Sequence, residues 1–150
     1  IKPNNILLTR EGGVKIIDFG QSCPMGHRKE RIQGTPDYIA PEQVNLQPLD
    51  QRTDVYNLGA TMYWVTTGKA FTTALSTALP GEKKIVIEGR RANAPPHELQ
   101  PNVPLALSRL ITDCCAAEKD ARPWDMGTVI NRLRTLQHAL TRKRGASATG

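Results

Sequence analysis

The apolar positions of the chain fall into a few blocks separated by polar stretches rich in proline and glycine. The first block folds back on itself. Ile6 to Thr9 and Val14 to Ile17 read as two short strands, and Arg10-Glu11-Gly12-Gly13 reads as a tight turn whose glycines accept positive φ. Pairing Thr9 with Val14 across this loop sets Ile6 opposite Ile17 and, at the open end, Asn5 opposite Asp18. The most apolar block is Asp54 to Thr67. There Val55, Leu58, Met62 and Val65 recur at helical spacing, and Tyr56, Ala60, Tyr63 and Trp64 cover the other faces. This pattern predicts a centrally buried helix, with Thr53 or Asp54 capping its start and Gly68 stopping it. Two amphipathic helices close the chain. Leu107, Leu110, Ile111 and Cys114 share a face of the first, and Met126, Val129, Ile130, Leu133, Leu136 and Leu140 share a face of the second. Pro123 is expected to stop one and start the next.

The connecting segments are less regular. Gln21 to Tyr38 has no periodicity, which suits a functional loop or disorder. Pro41 to Val44 can make one helical turn with Pro41 at its first position. Lys69 to Pro104 reads as an exposed, variable excursion with one short helix around Glu82–Glu88. Arg142-Lys143-Arg144 and the small residues after it read as a flexible basic tail or linker. The expected organisation is one domain over 1–140 and a tail over 141–150. The fold class is α+β, mainly α-helical, with a small β-hairpin packed on a central buried helix.

Composition narrows the function classes. A chain of 150 residues can bury one core. It carries 20 Lys+Arg against 14 Asp+Glu, a formal charge of +6, but only 5% of its residues are aromatic. With no recognition motif, nucleic acid is not the expected partner; a basic surface attracting phosphate or acidic peptides is. Cys23, Cys114 and Cys115 have no metal-ligand spacing and read as reduced thiols in a cytoplasmic setting. No apolar run approaches the roughly 18 residues of a membrane span. The chain starts without Met, inside what reads as a loop, as if cut from something longer.

Candidate chemistry sits at the open end of the hairpin. Residues facing each other in an antiparallel pair have Cβ atoms about 4.5–5.5 Å apart, so the Asn5 carboxamide and the Asp18 carboxylate would meet, with Lys2 one short turn away. Two oxygen ligands beside an ammonium group suit Mg²⁺ carrying a phosphate. The plain alternative on this stretch alone is that Asn5 and Asp18 only cap the hairpin ends.

Taken in order, the pieces resemble the eukaryotic-type serine/threonine protein kinases in the form common among bacteria. IKPNN looks like the end of their catalytic loop, and Asp18-Phe19-Gly20 matches the DFG motif. GTPDYIAPE matches the substrate-binding loop ending in Ala40-Pro41-Glu42. DVYNLG matches the start of the central helix of the C-terminal lobe, and DARP, with Arg122, the last signature. The resemblance implies a kinase-like C-terminal lobe from a non-specific serine/threonine protein kinase, using ATP and Mg²⁺ or Mn²⁺ on protein substrates. It implies that Asn5 and Asp18 hold the metal and that Lys2 neutralises the transferred phosphoryl group. Thr35 would orient Lys2 and the catalytic base. Glu42 and Arg122 would form a buried ion pair, and Asp54 would accept backbone N–H bonds from the catalytic loop. Cys23, His27, His97 and His138 are expected bystanders.

The same resemblance places the catalytic-base aspartate immediately before Ile1 and an ATP-gripping N-terminal lobe upstream of it. Residues 1–150 alone are therefore expected to be inactive, and the face of the hairpin and central helix to be exposed and apolar. Membrane anchoring of a longer parent is left open. A pseudokinase or scaffold is an alternative, opposed by the presence of Lys2, Asn5 and Asp18 together. A small-molecule phosphotransferase is another, opposed by the peptide-docking GTPDYIAPE segment. Between Gly20 and Ala40 the only hydroxyls of Ser or Thr are on Ser22 and Thr35, so the loop is expected to need no activating phosphate, with Glu30 as a fixed negative charge.

Overall fold

Two antiparallel strands, β1 (Ile6–Leu8) and β2 (Val14–Ile16), open the computed structural model, which describes residues 1–73 and 93–147. Their register differs from the expected one by a single residue: Ile6 pairs with Ile16, Leu7 with Lys15 and Leu8 with Val14. The cause is the turn. The Gly12 N–H donates to the Thr9 carbonyl (3.1 Å) and the Thr9 N–H donates to the Gly13 carbonyl (2.8 Å), which leaves three residues in the loop instead of four. Gly12 has φ 80°, the left-handed conformation that closes such a three-residue loop. Thr9 thus faces Gly13, and Asn5 lies beside Ile17.

Among the described residues the helices after the hairpin are α1 (Pro41–Val44), α2 (Gln51–Thr67), α3 (Pro96–Leu99), α4 (Leu105–Cys114) and α5 (Met126–Ser147). Short 3-10 turns occupy Pro3–Asn5 and Lys119–Ala121. As expected, the described residues are mainly helical with a small hairpin. The short helix expected around Glu82–Glu88 lies outside the described residues. None of the described helices is long and apolar enough to cross a membrane.

Helix α2 runs through the middle of the fold. On one side Val55 meets Leu110, Cys114 and Val129, with Leu58, Met62, Leu133 and Leu136 at the margin. On the other, Tyr56 and Ala60 pack with Ala40, Cys115 and Phe71. The helix begins earlier than its apolar pattern announces, because Asp50 rather than Thr53 or Asp54 is the cap. The Asp50 carboxylate accepts from the Arg52 N–H at 2.9 Å, and the first turn is polar, so hydrophobic spacing gives no sign of it. Gly68 ends the helix as expected, with φ 69°. Val65, expected on the buried face, is 67% exposed, and Trp64 is exposed beside it. Leu8, Val14, Ile16 and Ile17 of the hairpin are exposed too.

At Gly59, α2 approaches the end of α4 closely. A Cβ there would stand 2.7 Å from the Cys114 Cβ and 2.8 Å from the Cys115 Sγ. Gly59→Ala should therefore destabilise the fold by about 1–3 kcal/mol, the usual cost of overpacking. Thermal unfolding of the variant would test this, and an unchanged melting temperature would contradict the close packing.

The end of the chain departs from expectation in two places. Helix α4 stops at Cys114, well before Pro123, and α5 starts at Met126. Arg122 turns the carbonyls of Ala116 and Ala117 toward itself, with Nε and Nη2 donating at 2.7 and 2.9 Å. Those carbonyls are thereby withdrawn from any further helical turn. Asp125 then caps α5, accepting from the Thr128 N–H at 2.7 Å and the Thr128 hydroxyl at 2.8 Å. Ile130 and Leu140 fall on the exposed side of α5. The helix continues to Ser147, so the expected tail over 141–150 begins inside it.

Candidate active site

The site gathers at the open end of the hairpin, where the Pro3–Asn5 turn, the segment after β2 and the loop Gly34–Ala40 converge on a cleft of about 440 Å³. Lys2, Asn5, Asp18 and Thr35 all line it. The turn carries two of them. The Asn5 N–H donates to the Lys2 carbonyl at 3.0 Å, which closes the turn with Lys2 extended at its head. The Ile17 N–H then donates to the Asn5 carbonyl at 2.9 Å, fixing Asn5 against the end of β2.

Asp18 follows at once, with φ 62°, in the left-handed region that a non-glycine residue rarely adopts. That kink swings its side chain back toward the turn. The Asn5 Nδ2 donates to Asp18 Oδ2 at 3.4 Å, and the Gly20 N–H donates to Asp18 Oδ1 at 3.1 Å. Asn5 and Asp18 thus meet although the ladder does not set them opposite each other: the kink at Asp18 makes up the missing residue of register. The donor set, a carboxylate beside a carboxamide, suits a hard cation that takes oxygen ligands and completes its shell with water and phosphate.

Lys2 faces the other lip of the cleft, and its Nζ donates to the Thr35 hydroxyl at 3.3 Å. Loop Gly34–Ala40 is in turn anchored on a buried ion pair. Arg122 Nη1 and Nη2 donate to the two oxygens of Glu42 at 2.7 and 2.9 Å, with both side chains at most 2% exposed. The Thr53 hydroxyl adds a bond to Glu42 at 2.8 Å. Burial alone would raise the Glu42 carboxyl, but the hydrogen bonds and charge of Arg122 outweigh it and hold the group below its usual range. The Arg122 guanidinium also lies 4.8 Å from the centre of the Tyr56 ring. Every N–H of its fork is used.

Several expectations fare differently. Asp54, expected to accept backbone N–H bonds from the catalytic loop, lies near the Ile1 amino group; burial raises its carboxyl above the usual range and that positive charge opposes the shift. Asp54 lies in the first turn of α2, where its charge meets the positive end of the helix dipole. Ser22 is exposed on the cleft wall, and Glu30 is exposed with no ion pair among the described residues. The middle of the loop is tied down by backbone instead: the Gly26 N–H donates to the Leu49 carbonyl (2.7 Å) and the Leu49 N–H donates to the His27 carbonyl (3.0 Å). Cys23 is half-buried and lines the cleft. Burial pushes the Cys114 thiol up to about 12 and the Cys115 thiol further up, so both are inert packing groups. His97 Nδ1 lies 2.8 Å from the buried Ser108 hydroxyl, away from the cleft.

Sequence reasoning passed over Asn57 and Gln43. The Asn57 Nδ2 donates to the Tyr38 carbonyl at 2.6 Å and to Gln43 Oε1 at 3.0 Å, and that oxygen also accepts from the Ala40 N–H at 3.0 Å. The available signal was a carboxamide within the most apolar block of the chain, Asp54 to Thr67.

The family model described as the protein kinase domain matches residues 1–132. Among curated relatives, the chain is 30% identical over 145 residues to a probable serine/threonine-protein kinase of Clostridium acetobutylicum, covering 92% of this chain and 21% of that protein. It is 31% identical over 132 residues to the tyrosine-protein kinase MasK of Myxococcus xanthus, covering 81% of this chain and 19% of that one. It is 29% identical over 147 residues to the dual specificity protein kinase zakA of Dictyostelium discoideum, covering 98% and 18%. The chain spans about a fifth of the length of these relatives.

Proposed function

Given that this chain belongs to the protein kinase family, we propose that the protein transfers the γ-phosphoryl group of ATP to Ser and Thr hydroxyls of protein substrates. The observation that carries the reading is the convergence of Asn5 with Asp18 and of Lys2 with Thr35 on one cleft. The Asp18 carboxylate and the Asn5 carboxamide would hold Mg²⁺, which when bound supplies charge neutralisation on the ATP phosphates. Asp18 is pre-set for that role, since the Gly20 N–H fixes one of its oxygens. Lys2 would neutralise the transferred group and approach the attacking hydroxyl, and Thr35 steadies its ammonium from the substrate side. Loop Gly34–Ala40 would seat the acceptor peptide, which makes proteins rather than small molecules the substrate class.

The acceptor hydroxyl is the part of this reading to test first, since relatives carry serine/threonine, dual and tyrosine specificities in their names. The full-length protein, incubated with radiolabelled ATP and Mg²⁺, should phosphorylate peptides carrying Ser or Thr and leave the matched Tyr peptide unlabelled. Transfer to tyrosine alone, or no transfer to any acceptor, would overturn the proposal.

A further inference from the structure

We propose that Thr73 is a positioning residue for the substrate-facing loop: its hydroxyl holds the Pro36 carbonyl and so keeps the neighbouring Thr35 in place against Lys2. The inference rests on the proposed function for the role of that loop, and on the geometry for the clamp itself.

Loop Gly34–Ala40 has little to hold its own shape. The Tyr38 N–H donates to the Thr35 carbonyl at 3.0 Å, and Pro36 has no N–H to offer. The carbonyls of Pro36 and Tyr38 are instead taken by side chains from other parts of the chain. Asn57 on α2 takes Tyr38, and the Thr73 hydroxyl donates to Pro36. Thr73 is only 2% exposed, so its hydroxyl meets the loop inside the protein and not through solvent.

Thr73 is itself placed with care by the residues before it. The Phe71 ring stands edge-on to Tyr63 and Tyr56 of α2, at 5.2 and 6.1 Å between centres. The carboxamide of Asn93 then takes both backbone groups of Thr72: its Oδ1 accepts from the Thr72 N–H at 2.8 Å, and its Nδ2 donates to the Thr72 carbonyl at 3.0 Å. The Tyr63 hydroxyl donates to the Ala94 carbonyl at 3.0 Å. An aromatic wedge and a carboxamide clip therefore lock 71 and 72 to the central helix, and residue 73 carries that rigidity to the loop. Valine would fill the same space, but only a hydroxyl can donate to the carbonyl. One residue along, the Thr35 hydroxyl accepts from Lys2 at 3.3 Å, so a shift at Pro36 is transmitted directly to the group that orients Lys2. Small misplacements of that kind are costly in positional catalysis.

The test compares Thr73→Val and Thr73→Ser in the full-length protein, by steady-state kinetics and by amide hydrogen exchange. Thr73→Val should raise the KM for the acceptor peptide about tenfold and speed exchange at the Tyr38 amide by a similar factor, while the KM for ATP stays within about twofold. Thr73→Ser, which keeps the hydroxyl and loses the methyl, should restore both. Wild-type exchange in the valine variant would overturn the inference. So would a serine variant as impaired as the valine one, since that would assign Thr73 to packing. If the wild-type protein transfers no phosphate, the proposed function fails, and the exchange measurement still decides the clamp.

Discussion

Arg122→Ala is expected to lower the stability of the fold by about 3–5 kcal/mol, because it leaves Glu42 as an uncompensated charge in a dry site. The two side chains are at most 2% exposed, so the carboxylate is left far from bulk solvent. The loss goes beyond the ion pair. The carbonyls of Arg52, Ala116 and Ala117 also accept from Arg122 and would lose their donor. Arg122→Lys should fail almost as badly, since an ammonium keeps the charge but cannot reproduce the planar fork. Urea unfolding of the full-length protein measures this through the denaturation midpoint. A loss below about 1 kcal/mol for Arg122→Ala would show that the pair does not hold the fold. The pH dependence gives a second check. The folded Glu42 carboxyl titrates below its unfolded value, so its stabilising share is complete above the unfolded value and is withdrawn as pH falls through the folded one. Asp50 behaves alike. Burial would raise it, but Arg52 and Lys119 lower it from 3.8 to about 2. Its share is therefore present above 3.8 and lost on acidification toward about 2. Stability should thus fall with acid in the carboxylate range, and fall less in Arg122→Ala than in the wild type.

The second large effect is expected at Asp18. Asp18→Ala in the full-length protein should reduce kcat by at least 10²–10³-fold, roughly the loss seen when one preorganised electrostatic group is removed from a transition state. The fold should survive, because the Asp18 side chain is exposed and its hydrogen bonds run only to Asn5 and the Gly20 backbone among the described residues. Peptide binding should survive as well, since the loop from Gly34 is anchored elsewhere. A variant that keeps wild-type kcat, measured under saturating ATP and Mg²⁺, would remove Asp18 from the site. The combination of intact fold and lost turnover separates this substitution from Arg122→Ala, where turnover and stability should fall together.

What could be read from residues alone divides along physical lines. Pairing Glu42 with Arg122 was legible because each sits in a motif of the family the chain resembles, and its burial follows from the apolar residues around it. The meeting of Asn5 with Asp18 was legible too, though for an incomplete reason. The register depended on whether Gly12 or Gly13 closed the turn, a choice decided by one backbone dihedral that composition does not encode. The start of α2 was hidden because its first turn is polar, and capping by Asp50 leaves no periodic trace. The stop of α4 was misplaced at Pro123: the helix ends at Cys114, and a side chain from later in the chain takes the carbonyls of Ala116 and Ala117 just beyond it. Thr73 lay furthest from reach. A hydroxyl that donates to a backbone carbonyl 37 residues away leaves no mark on its acceptor's identity.

The separation of Glu42 from Arg122, 80 residues along the chain, also sets an order of events during synthesis. At about 5–20 residues per second, a ribosome needs roughly 4–16 s to make the arginine after the glutamate. Through that interval the carboxylate lacks its guanidinium, with only the Thr53 hydroxyl to meet it, and burying the charge would cost more than leaving it in water. The first half of the chain is thereby kept from closing early around a wrong core, with its loop and α1 still open. Closure waits for the turn between α4 and α5 to emerge. The lobe is then completed from its C-terminal end backward, and nascent chains stalled short of Arg122 should remain open to proteases at loop Gly34–Ala40.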